Sequence, residues 1–98
     1  MEITSKQRSF LKGLAMNLDP VFQLGKDSLT PEFAKAIREV LEKRELIKIH
    51  VLRSCLDDKK ELARILSERT GSEVVQVIGN MIVLFKYQKD AEKRKIDI

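Results

Sequence analysis

Cysteine is nearly absent from this chain. Cys55 is its single thiol, so no internal disulfide can form and no CxxC pair is available for zinc. Tryptophan is missing, and the aromatic complement is four phenylalanines and Tyr87. That is too few rings for a surface that reads nucleic acid by stacking bases along a strand. His50 is the only histidine, which leaves general base catalysis one candidate and a histidine metal cluster none. Two prolines and four glycines give little linker-like punctuation, and no internal repeat is present. Nowhere do about 18 apolar residues run together, so no membrane-spanning helix is expected. The opening MEITSKQRSF has no apolar core of a secretory signal, and a cytoplasmic location is expected.

Charge, by contrast, is plentiful. Charged residues make up 35% of the 98 positions, against 43% hydrophobic, with a net charge of +4. The length suits one domain, and the apolar fraction suffices for a compact core. A pI near 9.3 favours an anionic partner.

Periodicity orders the chain. Thr4 to Asn17 is predicted helical, with Thr4 and Gln7 as a capping box and Phe10, Leu11, Leu14, Ala15 and Leu18 as its apolar stripe. Asp19-Pro20 ends it, and Val21 to Leu24 forms a short strand closed by Gly25. Thr30 and Pro31 are a good N-cap and N1 pair for a helix running to about Arg44. LIKIHVL then alternates as a strand, with Ile47, Ile49 and Val51 on one face. A third helix opens at Asp57 or Asp58, where Asp58 and Glu61 can pair in a capping box. It buries Leu62, Ile65 and Leu66 and stops at Gly71. Finally EVVQVI and MIVLFKY flank Gly79-Asn80, a hairpin signal. Strict alternation puts Val75, Val77, Ile82 and Leu84 on one side, and Val74, Val83 and Phe85 on the other. Both sides are apolar, so both faces of the hairpin should be covered. The fold class is thus α/β, in the order α-β-α-β-α-β-β, with a mixed four-stranded sheet in a two-layer or three-layer sandwich. Residues 1–88 form the domain, and the charged tail, residues 89–98, is expected to fray.

Catalytic chemistry finds little support. His50 lies mid-strand beside Lys48, and Cys55 follows a strand end with no second histidine to activate it. Asp57 and Asp58 are adjacent and point about 100° apart on a helix, which suits capping rather than shared acid–base work. No phosphate-binding GxxxxGK[ST] motif occurs. Neither an enzyme, a metal site nor a cofactor is expected.

GKDSLTP, from Gly25 to Pro31, is the one stretch with the composition of an anion site. Glycine lets a phosphate approach the backbone, Lys26 adds a mobile cation, and a helix start follows. The same residues also make an ordinary strand-to-helix turn. Lys6, Arg8 and Lys12 add cations on the first helix, away from its apolar stripe. Lys35 and Arg38 do so on the second, although Glu39 and Glu42 stand at ion-pairing distance in sequence.

TSKQRSFLKGLA, PVFQLGKDSLTPEF, ELIKIHVL and GSEVVQVIGNMIVLFK, in this order, resemble the CRM domain, in particular its free-standing bacterial YhbY-like members. The resemblance runs from about Ile3 to Tyr87. It implies a fold like the C-terminal domain of translation initiation factor three. It further implies an RNA-binding protein of the large ribosomal subunit precursor, acting in ribosome assembly. A monomer with no DNA or membrane partner is expected. The family's KH-like GxxG loop falls on Gly25, Lys26, Asp27 and Ser28, with Lys6, Arg8 and Lys12 matching the basic opening. The family usually carries glycine where this chain has Ser28, and Asp27 sets a carboxylate beside the phosphate. The alternative class is a small basic module that binds an acidic protein.

Overall fold

The computed structural model describes residues 2–27 and 29–98. Its elements are α1 (Ser5–Ala15), β1 (Phe22–Leu24), α2 (Pro31–Arg44), β2 (Leu46–Val51), α3 (Lys59–Thr70), β3 (Glu73–Ile78) and β4 (Met81–Phe85). Local chemistry explains most boundaries. The Thr4 hydroxyl accepts from the Gln7 amide while the Gln7 side chain accepts from the Thr4 amide, so both halves of the expected capping box form. Thr30 accepts from the Phe33 amide at 3.1 Å, and Asp58 from the Glu61 amide at 3.0 Å. Gly71 ends α3 with φ of 67°, the left-handed conformation that only glycine adopts without strain.

The sheet has the order β1-β2-β4-β3. β1 pairs parallel to β2, whereas β4 pairs antiparallel to both β2 and β3. The chain therefore crosses from β2 through α3 to β3, and β4 returns to fill the gap between two parallel strands. Two apolar layers result. On one face α2 and α3 bury Leu24, Ile37, Leu41, Ile49, Leu66 and Ile82. Phe22 and Phe33 tie α2 to β1, with ring centroids 5.5 Å apart. On the other face α1 buries Leu11 and Ala15 against Leu46, Val75, Val83 and Phe85. Each such fully buried large side chain stabilises the fold by about 1.5–3 kcal/mol. The molecule is thus a three-layer α/β sandwich with helices on both faces of a mixed sheet.

Three expectations fail for identifiable reasons. First, the α1 stripe is only half buried: Leu11 and Ala15 are sealed, but Phe10 is 50% exposed and Leu14 39%. A single helix over a twisted sheet covers a narrower stripe than the sequence offers. Second, the sides of the hairpin change at a β-bulge. Val74 faces Leu84 and Gln76 faces Val83, leaving Val75 as the extra residue. One inserted residue inverts the alternation, so Val75 joins Val83 and Phe85, and Val74 packs with the α2–α3 layer. Third, residues 89–98 are tied down rather than frayed. The Glu45 carboxylate accepts from the amides of Lys95 (2.7 Å) and Ile96 (3.2 Å), and Ile96 and Ile98 pack on the α1-side core.

Candidate nucleic-acid interface

The strand directions decide which loops meet. β1 and β2 run parallel, so the loops that follow both emerge at one end of the sheet. The register pairs Leu24 with Val51, and the Leu52 amide donates to the Leu24 carbonyl at 2.7 Å, which lays residues 25–30 beside residues 52–58. The hairpin tip joins them: the Val51 amide donates to the Asn80 carbonyl at 2.7 Å, and Lys59 Nζ to Asn80 Oδ1 at 2.6 Å. These three segments form the loop end of the sheet.

Gly25 does not adopt a positive φ, and it sits directly against the β2–α3 loop. A Cβ built there would lie 3.4 Å from Ser54 Oγ and 3.7 Å from Leu52 Cδ1. Those are ordinary contact distances, so the two loops lie side by side at this point. Lys26 and Asp27 are exposed in the turn that follows, and Ser28 lies outside the described residues. Asp27 does not cap α2, because Thr30 does. The start of α2 is also a poorer anion cradle than its sequence suggests. Pro31 brings no amide hydrogen, Thr30 Oγ1 takes that of Phe33, and the Ala34 amide bonds the Thr30 carbonyl. The helix start therefore leaves few free amide donors at this end.

Sequence reasoning missed Arg53 and Ser54. Both are exposed on the β2–α3 loop directly beside Gly25. Their signal was invisible without the parallel pairing of β1 with β2. Asp57, Asp58 and Glu61 make the α3 side of this end acidic, around a groove of about 320 Å³ that includes Leu29. Lys26 and Arg53 are the exposed cations of the two strand-to-helix loops, with Lys59 and Lys60 beside them in the first turn of α3. Lys35 lies exposed in the second turn of α2, and Arg38 one turn further. Neither forms an ion pair with Glu39 or Glu42 among the described residues. Glu42 instead meets Lys86 Nζ at 3.4 Å.

The first-helix cations do not join this cluster. Arg8 turns inward, its guanidinium donating to the carbonyls of Val74 and Val75, the latter at 2.9 Å. These carbonyls belong to the bulge, where the ladder leaves backbone groups unpaired. Val74 pairs with Leu84, towards the end of the sheet remote from Gly25. Arg8 is thereby a structural pin rather than a free phosphate ligand. Lys6 and Lys12 are exposed on α1, on the opposite face from α2. Tyr87 is half-buried, with the Arg94 guanidinium 4.3 Å from its centroid.

Among the described residues no group of histidine, cysteine and carboxylates could hold a metal ion, and no helix is long and apolar enough to cross a membrane. His50 of β2 pairs with Met81 of β4, and Cys55 is buried.

A split strand–helix–strand sandwich that brings two strand-to-helix loops and their cations to one sheet end defines a compact α/β domain. The chain belongs to the CRS1 / YhbY (CRM) domain family, whose description matches residues 3–86. It is 44% identical over 96 residues to the Bacillus subtilis protein named "Probable RNA-binding protein YqeI", covering 98% of each chain. It is 34% identical over 90 residues to a Haemophilus influenzae protein named "RNA-binding protein", covering 92% of this chain and 91% of that one. The solution structure of the Staphylococcus aureus protein SAV1595 superimposes with a TM-score of 0.82 at 49% identity, over 99% of both chains.

Proposed function

We propose that this protein binds RNA without catalysing a reaction on it, through phosphate contacts at the loop end of the sheet. The observation that carries this reading is the juxtaposition of the Gly25–Lys26 turn with Arg53 and Ser54, with Lys35 and Arg38 on the adjoining helix. Arginine and lysine side chains without carboxylate partners neutralise phosphates and release counterions on binding. The relatives named for RNA binding share nearly the full length of the fold, which supports the same class of partner here.

The RNA is that of the large ribosomal subunit precursor, and the role is in ribosome assembly in the cytoplasm, with the protein acting as a monomer. This finer reading rests on the likeness to the free-standing bacterial members of the family. Gly25 and Lys26 supply the loop's phosphate contact, and Ser28 its hydroxyl. The test is Lys26→Glu against a large-subunit ribosomal RNA transcript. Affinity should fall by roughly tenfold, the worth of one charge-assisted hydrogen bond. The slope of log affinity on log salt should flatten by roughly 0.7–0.9. Unchanged affinity in a folded variant sinks the role of the loop, and co-sedimentation with ribosomal particles that survives complete RNA digestion points to an acidic protein partner instead.

A further inference from the structure

The strongest concentration of positive charge is not at the loop end. Where α2 finishes and β4 runs out, the chain from Lys86 onward folds back along the end of α2 and encloses an open groove of about 970 Å³. Five lysines line it, Lys43, Lys86, Lys89, Lys93 and Lys95, against two carboxylates, Glu42 and Glu92. The groove holds a surplus of three positive charges, in a molecule whose total is +4. Only Lys86 has a carboxylate partner among the described residues, at 3.4 Å. The other four lysines have no carboxylate partner among the described residues.

Main-chain contacts hold the walls. Gln88 Nε2 donates to the Glu42 carbonyl at 3.1 Å, and Arg94 Nε to the Gln88 carbonyl at 2.9 Å, with its guanidinium over Tyr87. The final anchor is Glu45. It is 1% exposed and has φ of 70°, the only positive φ of a non-glycine residue among the described positions. Strain of that kind persists where surrounding contacts enforce it. Here the contacts are its own. Its amide donates to the Leu41 carbonyl (2.8 Å), its carbonyl accepts from Lys86 (2.8 Å), and its carboxylate accepts from Lys95 and Ile96. One strained residue thus fastens both margins of the groove to the end of α2.

We infer that this groove is a second phosphate-binding surface, which takes the backbone of the same RNA that the loop end engages; the inference rests on that reading. Lysine is among the residue types depleted at the centres of protein–protein interfaces, and five of the groove's nine lining residues are lysines. Tyr87, the one aromatic side chain lining it, is covered by Arg94. Mobile ammonium groups around an open trough fit a polyanion better than they fit a folded acidic protein. Position adds to the argument. The groove follows Phe85, which pairs with Leu46, whereas Gly25 follows Leu24, which pairs with Val51. The six residues of β2 separate the two surfaces by about 17 Å, and the molecule is 38 Å long. At about 3.4 Å of helix axis per nucleotide of one strand, the pair spans roughly 5–11 nucleotides.

The test compares salt dependence in three full-length proteins binding a large-subunit ribosomal RNA transcript: wild type, Lys26→Glu, and the triple variant Lys43→Ala, Lys89→Ala, Lys93→Ala. The three alanine sites are exposed, and their side chains make no hydrogen bond among the described residues, so the fold should hold, as a melting curve will check. The triple variant should flatten the log–log salt slope by about 2, at roughly 0.7–0.9 per lysine. Replacing the same three lysines with arginine should restore it. A triple variant with the wild-type slope, while Lys26→Glu is impaired, overturns the groove and leaves the loop end standing. Wild-type protein that fails to bind the transcript overturns both. Polyglutamate binding that depends on the three lysines while RNA binding does not would reassign the groove to an acidic protein.

Discussion

The two ends of the sheet are both basic, and they are built in opposite ways. At the loop end, short connections between strand and helix place Lys26 and Arg53, and the geometry follows from the pairing of β1 with β2. At the other end no strand-to-helix loop is involved. A tail poor in apolar residues is pressed into place by a buried carboxylate, two isoleucines and an arginine–tyrosine stack. The first end is a property of the topology and should persist wherever the sheet forms. The second depends on contacts that single substitutions can remove. Positive charge on a small domain can thus be positioned either by its core or by a strap laid over it.

The largest effect should come from Glu45→Ala, which strikes the strap alone. Both residues carry a Cβ and so share the backbone strain at φ of 70°, which means the comparison isolates the carboxylate. Two amides lose their acceptor, and we expect a loss of about 2 kcal/mol in urea unfolding. Native-state proteolysis should then cut after Lys93 or Lys95, while the loop end keeps its hydrogen-exchange protection. Equal loss of protection at both ends would erase the distinction between topology and strap.

Arg8→Met should cost somewhat less, about 1–2 kcal/mol, by leaving the Val74 and Val75 carbonyls at the bulge without their charged donor. Methionine keeps the length of the apolar stem, so the loss reads the hydrogen bonds rather than packing. Because Arg8 points into the fold, the RNA salt slope should not change. A slope flattened by one contact would return Arg8 to the phosphate-binding set.

The smallest effect lies on the acidic flank of the loop end. The Glu61 carboxyl is held below the usual carboxylate range, first by its hydrogen bond from Arg64 and then by the attraction of that charge. A carboxyl whose pKa is lower in the folded state stabilises the fold above the unfolded value of about 4.3. That contribution fades as pH falls through the depressed folded value. Both partners are more than half exposed, so the pair should add little, and salt should weaken it. In Glu61→Gln the acid limb of the stability profile should become slightly shallower, with stability near neutral pH barely moved. A steeper limb would contradict the sign.

Much of this protein was legible in its sequence because the signals are local. Thr4 with Gln7, Thr30 with Pro31, Asp58 and Gly71 each govern a helix end through atoms a few residues away. Alternation in LIKIHV and the Gly79–Asn80 connection fix strands by the same short-range rules. The family, too, could be read from ordered motifs, and the comparisons bear it out. What the sequence could not settle is which distant residues come to share a place. The strand order set Arg53 and Ser54 beside Gly25, and a single bulge exchanged Val74 with Val75 between the two cores. Arg8 turned from the expected interface to carbonyls 66 and 67 positions away. Glu45, unremarkable in sequence, became the anchor of a tail fifty residues further on. Local propensities act between neighbours and leave their mark on each segment. Pairing between strands, and the satisfaction of backbone groups that pairing leaves open, are decided only when the whole chain closes around one core.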